Sequence, residues 1–228
     1  FMFPTNLASL LGYQFTGFLD FELLISVGNF LWLSLIILLI IFIRNPELSK
    51  VKTRIAATHG KELALQIYQS LLDITLACTQ SLKVDKYLYY SESIIQDKWD
   101  DSVYFKRVQS GGDLGERMKN ALAEILEEYD HALIIGSDCP YLTPSIITNA
   151  FVELEKKSVV IGPAFDGGYY LLGMSQLLPD LFENMPWSTD QLTTETLKKL
   201  EKKHLHYSLL PALQDVDEYF DWYNFINK

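Results

Sequence analysis

Cysteine is scarce in this chain, which holds only Cys78 and Cys139. Two thiols so isolated build neither a disulfide framework nor a metal-type spacing, and the default reading of reduced thiols is a cytoplasmic protein. Histidine is almost as sparse. His59, His131, His204 and His206 form no ligand pattern, and the last two alternate as they would along a surface strand. Positive charge is also in short supply. Nineteen Lys and Arg face 29 Asp and Glu, for a formal net charge of −10, which argues against nucleic acid as a partner. An acidic protein that binds phosphates must gather its few cations in one place. Internal repeats, low-complexity stretches and any linker after residue 44 are missing too. What remains is a globular balance, 49% hydrophobic and 21% charged over 228 residues, suited to one sizeable core with a short appendage.

Leu23 to Ile43 is an uncharged run of 21 residues. About 20 apolar residues suffice to cross a bilayer, and the basic residues that follow would put the C-terminal side in the cytoplasm. The second half of the run, Leu35 to Ile43, reads equally as a buried parallel strand bounded by Asn45-Pro46. The two readings exclude each other, because a strand over 35–43 leaves too few residues to span. A parallel sheet needs its first strand, so the strand is the preferred reading. Residues 1–34 are then a hydrophobic appendage, with membrane contact through it an open alternative, and residues 35–228 form the domain.

Downstream, apolar stretches and helical periods alternate. Helices are expected over about 58–81, 114–129, from Pro144, over 193–203 and from about 218. Strands are expected at 86–90, 132–136, 158–162, 169–172 and 207–210. This βαβ alternation predicts an α/β fold, a mostly parallel, Rossmann-like sheet with helices on both faces.

In such sheets ligands bind beyond the carboxyl ends of the strands, where the unusual clusters fall. Arg44 to Arg54 holds four of the 19 basic residues. Arg44, Lys52 and Arg54 suit phosphate oxygens, although a solvated loop has the same composition. In Gly136-Ser137-Asp138-Cys139-Pro140, Asp138 could hold Mg2+ or Mn2+, ions that take oxygen ligands and bridge phosphates; it could also only cap a turn. Gly167 and Gly168 after Asp166 would let backbone approach a ligand, or make an Asp-Gly hairpin turn. Asp215-Val216-Asp217 adds two carboxylates, with Asp217 either capping the last helix or closing a metal site. Gln109 and Gly111 lie in a glycine-bearing loop that enters a helix, a place for anions, base or sugar.

Taken in order, N-P-x-x-x-x-V-K-T-R, Q-x-G-x-D-L-G-E-R-M, G-S-D-C-P-x-L, G-P-A-x-D-G-G-Y-Y-L-L-G, P-W-S-T and D-V-D-x-x-x-D-W resemble a bacterial family known as DUF2064 or arsenosugar-biosynthesis glycosyltransferase. It is related to the molybdenum-cofactor and 2-phospholactate guanylyltransferase types. The likeness runs from about Leu38 to Trp222. It implies a glycosyltransferase-A-like, nucleotide-diphospho-sugar transferase fold, a nucleotide sugar or NTP as one substrate and a small-molecule acceptor as the other. By motif match, Lys52 and Arg54 would face the phosphates, and Asp138 would be the metal aspartate with Asp166 or Asp217 as its partner. Asp138 and Asp166 would thus sit at the reacting centre, with Gln109 and Gly111 near base or ribose. Trp187, Ser188 and Thr189 resemble a family loop on the acceptor side. Two features depart from the pattern. Ser49 replaces the family's usual glycine, and Asp138 lacks the second carboxylate of a D-x-D pair. The expected activity is glycosyl transfer from a nucleotide sugar with a divalent metal, with nucleotidyl transfer from an NTP as the alternative.

Overall fold

The computed structural model describes residues 37–228. The appendage reading for residues 1–34 lies outside them. The chain order is β1 (Ile37–Ile43), α1 (Thr53–His59), α2 (Lys61–Thr79), β2 (Asp85–Tyr90), β3 (Phe105–Val108), α3 (Leu114–Ile125), β4 (His131–Ile135), α4 (Pro144–Leu154), β5 (Val159–Pro163), β6 (Tyr169–Met174), a 3-10 turn (Pro179–Leu181), α5 (Leu192–Lys202), β7 (Tyr207–Leu209) and α6 (Tyr219–Ile226). The strands form one sheet in the order β3-β2-β1-β4-β6-β5-β7. Only β6 runs against the rest, paired antiparallel to β4 and β5.

The apolar run preceding Arg44 supplies the central strand. Leu38 to Ile41 are fully buried. Because side chains alternate across a strand, Leu39, Ile41 and Ile43 enter a core with α2 and α4 on one face. Leu38, Ile40 and Phe42 enter a second core with α3 and α5 on the other. A strand buried on both faces needs no polar alternation, so this stretch has the composition of a membrane segment while lying inside a sheet. Among the described residues no helix is long and apolar enough to cross a membrane.

Two elements differ from the sequence expectation. The helix expected over 58–81 is α2, which begins at Lys61, and a further helix that was not expected, α1, precedes it; the two are parted at Gly60, whose φ of 93° is left-handed territory that a glycine adopts without strain. Arg54 therefore sits on the first turn of α1 and not in a loop. The strand β3 was not expected at all. It is the sheet edge, largely exposed, and Phe-Lys-Arg-Val gives little apolar signal when only one neighbour is present to pack against.

The basic loop leaves β1 through Asn45, which is 4% exposed. Asn45 Oδ1 accepts hydrogen bonds from Ser91 Oγ (3.2 Å), Glu92 N (3.0 Å) and Ser93 N (3.4 Å), and Nδ2 donates to the Ser93 carbonyl oxygen at 2.8 Å. One amide thereby ties the loops after β1 and β2 together. Asn45→Ala strands these partners and is expected to cost about 2 kcal/mol, read as a shifted urea midpoint at unchanged slope. An unshifted midpoint would show that the loops hold without it.

Candidate active site

Beyond the carboxyl ends of β1 and β4 lies a cavity of about 150 Å3 whose walls include Arg44, Lys52, Arg54, Tyr68, Asp138 and Asp217. Five residues singled out from sequence thus share one small space, although 173 positions separate Arg44 from Asp217. Lys52 is its hinge. Its side chain is 6% exposed, and Nζ lies 2.6 Å from Asp138 Oδ1 and donates to the Val216 carbonyl oxygen at 2.6 Å. Its backbone is left-handed (φ 45°), a conformation that costs a non-glycine residue roughly 1–2 kcal/mol. Ser49 is also left-handed (φ 70°), which gives a physical reason for the family's glycine there. Arg54 Nη1 pairs with Asp217 Oδ2 at 2.9 Å. Tyr68, buried, accepts from the Arg44 backbone N–H at 2.7 Å and donates to the Arg44 carbonyl oxygen at 3.0 Å.

The 214–217 segment is laced to the loop after β4. Val216 N donates to the Asp138 carbonyl oxygen at 2.9 Å, and Cys139 Sγ to that of Gln214 at 3.6 Å. Asp217 does not cap the last helix. That position belongs to Glu218, while Asp221 Oδ2 accepts from Asp217 N and Glu218 N.

The other expected residues do not line this cavity. Asp166 occupies the turn between β5 and β6, its Oδ1 accepting from Gly168 N at 2.9 Å, and Gly167 N donates to the Ala164 carbonyl oxygen. The segment forms the hairpin turn. Gly167 (φ 89°) does meet backbone closely, but it is the protein's own: an added Cβ would lie 2.2 Å from the Asp190 carbonyl oxygen. Gln109 spends its amide N–H groups on the carbonyls of Ile43 and Tyr89, both at 3.0 Å. Gly111 (φ 140°) offers its carbonyl to Arg117 Nε. The start of α3 is already satisfied by Asp113 and Glu116, so it is no open anion site as it stands. Trp187 fills the space over Gly115, which a Cβ would obstruct at 2.3 Å; its role in the structure is packing.

Residues 74–189 match the family described as "Uncharacterized protein conserved in bacteria (DUF2064)". The chain belongs to the DUF2064 family. A candidate nucleotide-diphospho-sugar transferase of Desulfovibrio desulfuricans G20 is 30% identical over 82% of this chain and 84% of its own, with a TM-score of 0.74. The 4-diphosphocytidyl-2C-methyl-D-erythritol synthase of Anaerococcus prevotii DSM 20548 covers 86% of this chain and 97% of its own at 11% identity and TM-score 0.53. The Mycobacterium tuberculosis H37Rv protein Rv0371C, solved as a manganese complex, covers 85% and 99% at 11% identity and TM-score 0.51. At that identity the last two share the fold alone. No curated protein matches. The DUF2064 chain thus has the nucleotide-diphospho-sugar transferase fold expected from its motifs.

One carboxylate went unassigned in sequence. Asp215 is flanked by the fully buried Val216, and its Oδ1 is itself buried with no hydrogen-bond partner among the described residues. Burial first, then the charges of Asp138 and Asp166, push its carboxyl up to about 7. Burial raises Asp217 as well, opposed by Lys52 and Arg54. The D-x-D spacing of 215 and 217 was the available signal, but spacing does not say which carboxylate turns inward. Among the described residues no three Asp, Glu, His or Cys side chains converge as a ready cage. The expected trio of Asp138, Asp166 and Asp217 is not among such groups, and Asp138 and Asp217 each pair with a cation. The donors are nonetheless all oxygen, and an orphaned buried oxygen lies among them, which fits a hard cation of the Mg2+ or Mn2+ type.

Asp215 makes the metal-free protein sensitive to pH. With its folded value raised above the unfolded one, the folded chain keeps a proton that the unfolded chain has lost between about pH 4 and 7. Stability therefore falls as pH rises through that window and levels off above it. Asp215→Asn is expected to flatten much of this slope and to stabilise the metal-free protein at pH 8 by roughly 2–4 kcal/mol. Urea denaturation from pH 4 to 8 measures it, and an unchanged slope would place the charge in water.

Proposed function

We propose that this DUF2064 protein is a metal-assisted glycosyltransferase that binds a nucleotide-sugar donor by its diphosphate. The observation that carries the reading is the junction of three cations and two carboxylates in one cavity of about 150 Å3. That volume suits a phosphate group and leaves base and sugar to lie across the rim. In a chain of net charge −10, Arg44, Lys52 and Arg54 provide the local positive field that an anion needs. The 30% identity to a candidate nucleotide-diphospho-sugar transferase supports the same substrate class.

Lys52 and Arg54 neutralise phosphate oxygens, Arg54 with a planar fork. Bound Mg2+ or Mn2+ would be held by Asp138 with Asp215 or Asp217, and supplies charge that stabilises the leaving diphosphate. The ion pairs of Lys52 and Arg54 hold these carboxylates in position before substrate arrives, so little reorganisation remains at the moment of reaction. Gln109 braces the ends of β1 and β2, and with Gly111 it forms the proposed base-side rim.

A second reading is nucleotidyl transfer from an NTP, with the same residues acting on the α-phosphate. The lone Asp138 of Ser137-Asp138-Cys139 favours it, since a D-x-D pair is missing from that strand end. Products separate the two: release of nucleoside diphosphate from a nucleotide sugar against release of pyrophosphate from an NTP.

Titration calorimetry with UDP, GDP, CTP and GTP, with and without Mn2+, tests the site. Asp138→Asn is expected to abolish the Mn2+-dependent part of nucleotide affinity, and Lys52→Ala to weaken binding about ten-fold or more with or without metal. Both variants should retain the fold by circular dichroism. Full affinity in Asp138→Asn would remove that residue from the site.

A further inference from the structure

A second cavity shares two chain segments with the first, the loop after β4 and the stretch after β7. It holds about 690 Å3 and is walled by Tyr141, Phe165, Gln214, Phe220, Tyr223 and Asn224, among others. The loop after β4 gives Asp138 to the proposed phosphate site and Tyr141 to this groove. The β5–β6 turn gives Phe165 to the groove, next in sequence to Asp166, whose charge acts on Asp215 and Asp217. The segment after β7 gives Asp217 to the phosphate site and Gln214 to the groove. Asp138 and Asp217 of the small cationic cavity are thus close in sequence to Tyr141 and Gln214 of the larger aromatic one. On α6, Phe220, Tyr223 and Asn224 recur at the i, i+3 and i+4 positions of one helical face, and Asn227 follows as the residue after the helix end. That helix has no fully buried residue. Phe165 and Phe220 are 69% and 67% exposed, unusual for phenylalanine and characteristic of a binding surface.

The groove's chemistry narrows its occupant. Its volume falls within the roughly 300–1,000 Å3 of small-molecule sites. The walls are aromatic faces interrupted by a few polar groups. Asp221 contributes no free charge to recognition, because both its oxygens are engaged, Oδ2 with the backbone of α6 and Oδ1 with Gln214 Nε2 at 3.3 Å. The one cation, Lys228, lies over the Tyr141 ring at 4.5 Å. Among the described residues the Asn224 amide and the hydroxyls of Tyr141 and Tyr223 take part in no hydrogen bond within the protein, which leaves them for a ligand. Flat apolar walls with free hydroxyl and amide groups suit a ring that has one apolar face and a rim of hydroxyls.

We propose that this groove is the acceptor subsite and takes a neutral, polyhydroxylated ring, stacked between Phe165 and Phe220. The assignment as acceptor site rests on the reading of the Lys52–Asp138 cavity as the transfer site; the choice of ligand class rests on the groove alone. Saturation-transfer NMR with p-nitrophenyl β-D-glucopyranoside as the neutral probe and glucose 1-phosphate as its anionic counterpart tests it, alongside nucleotide calorimetry with Mn2+. The neutral probe should bind in preference to the phosphate. Phe165→Ala and Phe220→Ala, both at exposed positions, should each weaken it at least about ten-fold and leave nucleotide affinity unchanged. Normal nucleotide binding with no probe binding, with probe binding indifferent to both variants, or with the phosphate preferred, would overturn the groove assignment and leave the phosphate site standing. Phe-dependent probe binding without any nucleotide affinity would overturn the acceptor role and the transferase reading together, and support the ring site by itself.

Discussion

Lys52 Nζ sits 2.6 Å from a carboxylate oxygen on the loop after β4 and 2.6 Å from a backbone carbonyl on the segment after β7. That ammonium joins three stretches of chain that are remote in sequence, and the arrangement of the cavity follows from it. With Lys52 largely shut off from water, an unpaired charge there would be expensive; Asp138 and the Val216 carbonyl hold it. In turn Lys52 fixes Asp138 near a second carboxylate, Asp215, whose carboxyl burial pushes up. Arg54 repeats the device on Asp217, in a more exposed setting where an isolated pair contributes little.

The backbone is arranged for the same end. Lys52 and Ser49 are left-handed although neither is glycine, and Asn45 clamps the start of the same loop to the segment after β2. The turn from β1 into α1 is thus held in a conformation the chain would not choose by itself. Stabilisation from the two-sided core of β1 offsets that strain. Such conformations cluster where geometry serves binding, and here the strained residue is also the one that carries the charge.

Different signals were legible to different degrees. The run that becomes β1 was readable as a buried strand because nine apolar residues stop sharply at Arg44 and Asn45. Six motifs in fixed order carried the family and hence the sheet. The edge strand β3 left no such mark, since only one neighbour packs against it. Helix α1 was missed because its seven residues carry one buried apolar side chain, Ile55, too few for a helical period to show. The glycines at 167 and 168 were visible, but sequence could not distinguish an approach to a ligand from an approach to the Asp190 backbone.

The sequence by itself determined most of the elements, the central strand and the stock of residues at the carboxyl edge: Arg44, Lys52, Arg54, Asp138, Asp166 and Asp217. These follow from local composition and spacing, which are properties of neighbours along the chain. Tertiary structure alone decided which carboxylate faces inward, that Asp217 meets Arg54 and not a helix end, that Gln109 braces strand termini, and that an aromatic groove shares two chain segments with the cationic cavity. Those outcomes depend on burial and on distances between segments up to 164 residues apart. Desolvation and Coulomb energy act through space, and they have no local signature to be read in advance.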